Sequence, residues 1–251
     1  MHRFYLPPAQ CRGNTLVLDE SETHHALHVL RVKTGERVVV LDGAGHEFLC
    51  EVRGTERKGM ELAVRQTNPL GPMSWAVTLI QAVTKAKSMD LIVQKATELG
   101  AARVVPILSD RSVPNLDGEG GEKKVDKWQA IAIDAIKQCG SPWLPRIDAP
   151  QTASAFLAQG ERYDLSMIAS LQPGSRHPRE YLDSFVSEHK RRPRSLAIWV
   201  GPEGDFTPAE LNAVKGAGAA PISLGPLVLL SETAAIYCLS VLGYESQWNG
   251  K

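Results

Sequence analysis

The sequence predicts an α/β protein, a mostly parallel sheet with helices on both faces, preceded by a small β-barrel. Three observations carry that prediction. Roughly the first 70 residues are short runs rich in Val, Leu and Phe, separated by glycines. Beyond residue 73, strand-length apolar runs alternate with helix-length amphipathic ones. Between the two textures lies Asn68-Pro69-Leu70-Gly71-Pro72, the composition of a linker, so units 1–72 and 73–251 are expected. A chain of 251 residues with 43% hydrophobic content has ample material for buried cores.

The first unit reads as strands over Asn14–Asp19, Glu36–Asp42, Glu47–Arg53 and Met60–Gln66. Met60, Leu62 and Val64 alternate with Glu61, Ala63 and Arg65, the period of a half-buried strand. One helix interrupts them, with Ser21 as its expected cap and Ala26, Leu27 and Leu30 as its apolar side. Gly43-Ala44-Gly45-His46 starts like a dinucleotide fingerprint, but no third glycine or helix follows, so it reads as a hairpin turn.

In the second unit Trp75–Val83 reads as a strand, and Met89–Leu99 as a helix stopped by Gly100. Arg103–Leu108 is the next strand. A polar loop at Asn115–Gly121 leads to a helix with Trp128, Ile131 and Ala135 on one face, stopped by Gly140. Leu165–Leu171 and Leu196–Val200 have the length of buried strands. Thr207-Pro208-Ala209-Glu210 combines a capping threonine, proline at the first helical position and glutamate three residues on. Ile222–Leu224 reads as a short strand, and a last helix runs from about Glu232 to Tyr244.

Charge and cysteine content exclude several classes. Lys and Arg number 28 and so do Asp and Glu, so no overall basic footprint marks a nucleic-acid binder. The local exceptions are Lys190–Arg194 and the histidines at 24, 25 and 28, which equally suit a solvated surface. Cys11, Cys50, Cys139 and Cys238 are scattered, which suits a reducing cytoplasm better than a disulfide framework or a zinc site. No apolar run is long enough to span a bilayer, and MHRFYLPPAQ lacks the apolar core of a secretory signal. A P-loop and a Gly-x-Ser-x-Gly elbow are both missing from the sequence.

In open α/β sheets ligands bind beyond the carboxyl ends of strands. Three loops meet that rule: Ser170-Leu171-Gln172-Pro173-Gly174, Gly201-Pro202-Glu203-Gly204, and the stretch through Leu224-Gly225-Pro226. Glycines around Pro202-Glu203 allow a tight turn whose backbone approaches a flat polar ligand. An ordinary strand-to-helix connection would use the same residues.

The stretch WVGPEGDFTPAELNAVKGAGAAPISLGPLVLLSETAA closely resembles the signature of the RsmE family of 16S rRNA uridine-N3 methyltransferases, within the SPOUT superfamily. THHALHVLRVKTGERVVVLDGAG, QAVTKAKSMDLIVQKATELGAARVVPILSDRS and KWQAIAIDAIKQCG match in order, so the resemblance covers nearly the whole chain. It implies a PUA-like β-barrel that binds RNA, then a SPOUT domain threaded into a trefoil knot. It implies a homodimer that binds S-adenosyl-L-methionine (SAM), without a metal, and acts on the 16S rRNA of the small ribosomal subunit.

Carried over by position, the cofactor residues are Leu171, Gly201, Glu203, Gly204, Leu224, Gly225, Leu229, Glu232, Thr233 and Ala234. Glu232 doubles as the candidate catalytic carboxylate, or else caps the first turn of the last helix. Arg3, Arg31 and Lys33 are the expected phosphate contacts. Three departures stand out. Leu227 and Leu230 occupy positions where the family typically carries arginine, Asp205 follows Gly204 where GPEGG is usual, and Ser141-Pro142 stand where an arginine is common. The missing arginines favour, as an alternative, another RNA nucleotide as target; a second alternative is a non-catalytic RNA-binding or ribosome-assembly protein that kept the fold.

Overall fold

A computed structural model describes residues 1–56, 59–112 and 119–247. Two compact units separate by their contacts: Met1–Pro72 with Ile133–Leu144, and Met73–Ala132 with Pro145–Lys251.

The first unit contains β1 (Arg3–Tyr5), β2 (Thr15–Leu18), α1 (Glu20–His24), β3 (Arg37–Leu41), β4 (His46–Glu56) and β5 (Gly59–Pro69). They form one sheet in the order β1-β3-β4-β5-β2, parallel at β1–β3 and antiparallel elsewhere. Register shifts at Leu49/Cys50 and Val52/Gly54 interrupt the long β4–β5 ladder, and such bulges bend and twist a strand. The sheet curls around Phe4, Leu6, Leu16, Leu18, Val40 and Leu62, the half-buried alternation turned inward. Burial pushes the Cys50 thiol up to about 12, with Cys11 adding a smaller effect, so this sulfur is a core atom and not a nucleophile. The helix cap is Asp19, which accepts from the Glu22 amide at 2.8 Å, and not Ser21, which lies inside the helix. A single π-helical turn follows at His25–Val29. The expected linker begins as strand, because Asn68 and Pro69 still pair with Glu47 and His46. Gly43 and Gly45 take positive φ in the hairpin turn.

The second unit is built on seven parallel strands. In chain order its elements are β6 (Ala76–Ala82), α2 (Ala86–Glu98), β7 (Arg103–Leu108), α3 (Glu119–Cys139, whose last third belongs to the first unit), β8 (Arg146–Ile147), β9 (Gln151–Thr152), α4 (Ala153–Ala158), β10 (Leu165–Ala169), α5 (Pro178–His189), β11 (Ser195–Val200), α6 (Pro208–Gly216), β12 (Ala220–Ile222) and α7 (Ser231–Gln247). The strand order is β12-β10-β11-β6-β7-β8, with β9 also on β7. Ile80, Val105, Ile107, Ile168, Ala197 and Trp199 form a continuous apolar layer with Phe156 and Phe206. Such uninterrupted burial is what a parallel sheet covered on both faces requires.

The threonine cap of α6 is present with both of its reciprocal bonds, Glu210 N to Thr207 Oγ1 at 3.3 Å and Thr207 N to Glu210 Oε2 at 2.8 Å. Two strands end earlier than periodicity suggests. β10 stops at Ala169 and β12 at Ile222, and the apolar residues beyond them enter loops. The Asn115–Gly121 loop falls mostly outside the described residues, which resume at Glu119 inside α3.

The amino edge of this sheet is closed by ion pairs. Arg103 donates to Asp148 through Nε at 2.9 Å and through Nη2, and to Glu161 through Nη1 at 2.6 Å. Burial opposes the Arg103 charge, but these hydrogen bonds outweigh it and raise its pKa. Arg191 grips both oxygens of Asp164 at 2.8 Å and, with backbone amides of Arg194 and Ser195, holds that carboxyl well below its usual range. The basic run from Lys190 to Arg194 is thereby tied into the fold: Lys190 is a left-handed C-cap, and Arg192 bonds the Glu245 carbonyl.

Candidate cofactor-binding site

Parallel register sets the carboxyl ends of β10, β11 and β12 side by side, with Ile168 opposite Trp199 and Ala169 opposite Ile222. The loops that leave those ends are the three expected from the strand-end rule. Together they enclose a cavity of about 440 Å³. Of the expected cofactor residues, Leu171, Gly201, Glu203, Leu224, Gly225, Leu229 and Ala234 line it. Gly204, Glu232 and Thr233 do not.

Each loop is held by local bonds. In the first, Ser175 Oγ donates to the carbonyls of Gln172 at 2.9 Å and Ser170 at 3.3 Å, closing the turn around Gly174. In the second, Asp205 takes a left-handed backbone, φ 57°, and its Oδ1 accepts from the Phe206 amide at 2.7 Å. That conformation suits glycine best and is tolerated by asparagine and aspartate, which explains how Asp205 replaces the last glycine of GPEGG without breaking the turn. Arg111, just after β7, donates to the Gly204 carbonyl at 2.7 Å, so Gly204 serves the loop's anchoring and not the cavity wall. Glu210 extends the same anchor, accepting from Ser109 Oγ at 3.2 Å and from the Asp110 amide at 3.1 Å. In the third loop, Gly225 has φ +107°, a region from which side chains are nearly excluded.

The most deeply placed polar group at the site is one that sequence reasoning missed. Ser231, 4% exposed, lines the cavity and donates from Oγ to the Gly201 carbonyl at 2.6 Å. The same oxygen accepts from Gln81 Nε2 at 2.9 Å, at the carboxyl end of β6. Gln81 also donates to the Ala82 carbonyl, and its Oε1 is buried without a partner. Buried polar groups in such a chain are costly to orphan, so the relay fixes β6, β11 and the start of α7 to one another. The sequence does contain a hint, a hydroxyl directly before Glu232-Thr233-Ala234. Glu232 itself turns toward α2, where its Oε1 accepts from Ser88 Oγ at 3.2 Å.

Around the cavity mouth Leu171, Leu227, Val228 and Leu230 are 61–78% exposed, the two leucines at the expected arginine positions among them. In the first unit, Arg31 and Lys33 are exposed, and Arg31 has φ 56° just beyond the π-helical turn. His24 and His28 lie ring to ring at 4.6 Å on the same segment. Arg3 is committed elsewhere: its Nη1 donates to the carbonyls of Gln138 at 3.2 Å and Lys137 at 3.4 Å, at the end of α3. Among the described residues no cluster of three or more His, Cys, Asp or Glu side chains could hold a metal.

Comparison with known proteins adds three findings. The model of an RNA methyltransferase domain matches residues 72–243, and that of an RNA methyltransferase PUA domain matches residues 18–64. Ribosomal RNA small subunit methyltransferase E from Aquifex aeolicus is 32% identical over 250 residues, with 96% of this chain and 99% of that one covered. Its counterpart from Mycobacterium bovis is 31% identical over 247 residues, covering 98% and 93%. A methyltransferase from Legionella pneumophila, solved in complex with SAM, superimposes with a TM-score of 0.87 at 30% identity over 97% of each chain. Ribosomal RNA small subunit methyltransferase E from Neisseria gonorrhoeae, bound to SAM, gives 0.83 at 26% identity over 96% of each. With a domain model matched over most of its length and relatives above 30% identity across nearly all of it, this chain belongs to the RNA methyltransferase family of ribosomal RNA small subunit methyltransferase E.

Proposed function

We propose that the protein transfers a methyl group from SAM to N3 of a uridine in 16S rRNA of the small ribosomal subunit. The observation that carries this reading is the convergence of three strand-end loops on one cavity in a chain of this family. The cavity fits the cofactor: its volume lies within the roughly 300–1,000 Å³ range of small-molecule sites. Backbone-rich turns at Gly201 and Gly225 suit a flat heterocycle, and Leu171, Leu224 and Leu229 give apolar walls. SAM supplies an activated methyl on a sulfonium.

The chain's own residues bind and orient. Ser231 and Gln81 fix the floor against Gly201, and Arg111 holds the neighbouring turn through Gly204. Glu232 acts by securing the start of α7 to α2 and not by touching the reacting atoms. A uridine N3 takes part in base pairing, so the target must be unpaired or flipped to reach the cavity. In the first unit, taken as residues 1–72, the exposed Arg31 and Lys33 serve as phosphate contacts, with the second unit from residue 73 as the methyltransferase domain. The knot implied by the resemblance would form from the third loop and α7.

The exposed apolar rim of Leu171, Leu227, Val228 and Leu230 supports a homodimer, because a patch of that kind is disfavoured on a monomer. Light scattering of the purified protein should give twice the 27.4 kDa chain mass. The four free cysteines support a cytoplasmic enzyme.

Mass spectrometry of rRNA from a deletion strain tests the central claim. Loss of one N3-methyluridine from 16S rRNA is expected, and an unchanged profile would sink the reading. The leucines at 227 and 230 favour one alternative, another RNA nucleotide as target, which the same experiment identifies by the modification that disappears.

A further inference from the structure

Among the residues lining the cavity the ionisable ones are Glu203 and Asp205, and no Lys, Arg or His joins them among the described residues. Glu203 is exposed, whereas Asp205 is half-buried. The Asp205 carboxylate is also oriented. Oδ1 is fixed by the Phe206 amide, and it would lie 3.2 Å from a Cβ built on Gly201, so the group stands against the cavity wall. Among the described residues its hydrogen bonding uses Oδ1 alone, which leaves Oδ2 for a ligand.

On the reading that the cavity takes SAM, this arrangement has a direct electrostatic consequence. SAM carries a sulfonium, an ammonium and a carboxylate, a net charge of +1. Methyl transfer breaks the sulfur–methyl bond, leaves its electron pair on sulfur and delivers the methyl to the RNA nitrogen, whose proton departs to solvent. The ligand left behind, S-adenosylhomocysteine, is a neutral thioether overall. A half-buried carboxylate near the ligand therefore stabilises the reactant state more than the product state.

We infer that Asp205 is a specificity-determining residue that makes the cavity discriminate the cationic methyl donor from its neutral thioether product, favouring product release after transfer. Its effect is Coulombic, and added salt should weaken it over the Debye length of roughly 8 Å at physiological ionic strength.

Calorimetric titration of the full-length protein with SAM and, separately, with S-adenosylhomocysteine tests the inference. Asp205→Asn keeps the shape, the acceptor for the Phe206 amide and tolerance of the left-handed backbone, and removes only the charge. It should weaken SAM binding about five- to tenfold while leaving the thioether within about twofold. Asp205→Gly, which the positive φ also accommodates, should lose the same preference. Raising salt should shrink the preference in the wild type and not in Asp205→Asn. Parallel weakening of both ligands in Asp205→Asn would mean a role in loop shape alone, and unchanged affinities would mean no role; either result overturns the inference. Wild-type protein that binds neither ligand overturns the cavity reading first and this inference with it.

Discussion

At the amino edge of the seven-stranded sheet Arg103 reaches Asp148 and Glu161, and Asp164 holds Arg191, whereas at the carboxyl edge Glu203 and Asp205 border a cavity with no cation among its described lining residues. The first edge is self-satisfied, with Arg103, Asp148, Glu161, Asp164 and Arg191 each meeting an opposite charge. At the second edge Leu171, Leu227 and Val228 face outward, and backbone turns and carboxylates stand ready for something the chain does not supply. The same strands produce both edges, so the contrast lies in the loops. A parallel sheet has its strand ends and helix starts arranged so that one edge can close on itself while the other receives a ligand.

The largest effect expected from breaking this contrast is on the self-satisfied side. Among the described residues Arg103→Ala leaves the buried Asp148 with only the exposed Arg146 as a cationic partner, and should destabilise the protein by about 2–3 kcal/mol. For a chain of this size that is a fall of roughly 5–10 °C in Tm. SAM affinity of the folded variant, measured well below its Tm, should stay within about twofold of wild type; a large loss would show that the two edges are coupled.

A smaller change in free energy, with the opposite signature, is expected at the cavity. Ser231→Ala orphans the Gly201 carbonyl and a Gln81 N–H in one step. Calorimetry should record a SAM Kd raised about tenfold, the equivalent of about 1.4 kcal/mol. Ser231→Thr keeps the hydroxyl and should restore most of the affinity. Equal binding by Ser231→Ala and wild type would remove the relay from the site.

The smallest effect is on pH dependence. The carboxyl groups of Asp164 and Glu161 both have lowered native pKa values, chiefly through their bonds to Arg191 and Arg103. Their contribution to stability is complete above the unfolded values near about 4 and declines as pH falls toward the native ones. Urea midpoints measured from pH 6 to pH 2 should fall less steeply for Asp164→Asn than for wild type. An identical slope would mean that the Arg191 pair contributes nothing.

Much of this was legible in the residues. The buried Met60 and Leu62, the Thr207-Pro208-Ala209-Glu210 start of α6 and the three strand-end loops appear in the structure where local pattern put them, whereas Ala63, expected to face outward, is buried too, next to a register shift in the β4–β5 ladder. Local errors had local causes. Asp19 outcompeted Ser21 as a cap because a carboxylate two residues earlier already meets the Glu22 amide. α5 carries no conventional cap signal, because its cap is His177, whose ring nitrogen accepts from the Arg179 amide where a serine or aspartate is usual. Apolar Leu171 and Leu224 read as strand continuations, yet the chain had already turned off the sheet to wall the cavity.

What the sequence determined by itself was the fold class and the loops where chemistry belongs, since periodicity, caps and turn residues act within a few positions of one another, and the family through the resemblance of whole motifs. Only the tertiary structure decided which polar groups serve those loops. Gln81 and Ser231 stand 150 residues apart, and Arg111 and Gly204 stand 93 apart. Strand order brings each pair within hydrogen-bonding reach, and it decided equally that Glu232 faces Ser88 instead of the cavity and that Arg3 serves the end of α3. A side chain's partner across such separations depends on which strands lie side by side, a property of the assembled sheet that no single stretch of sequence holds.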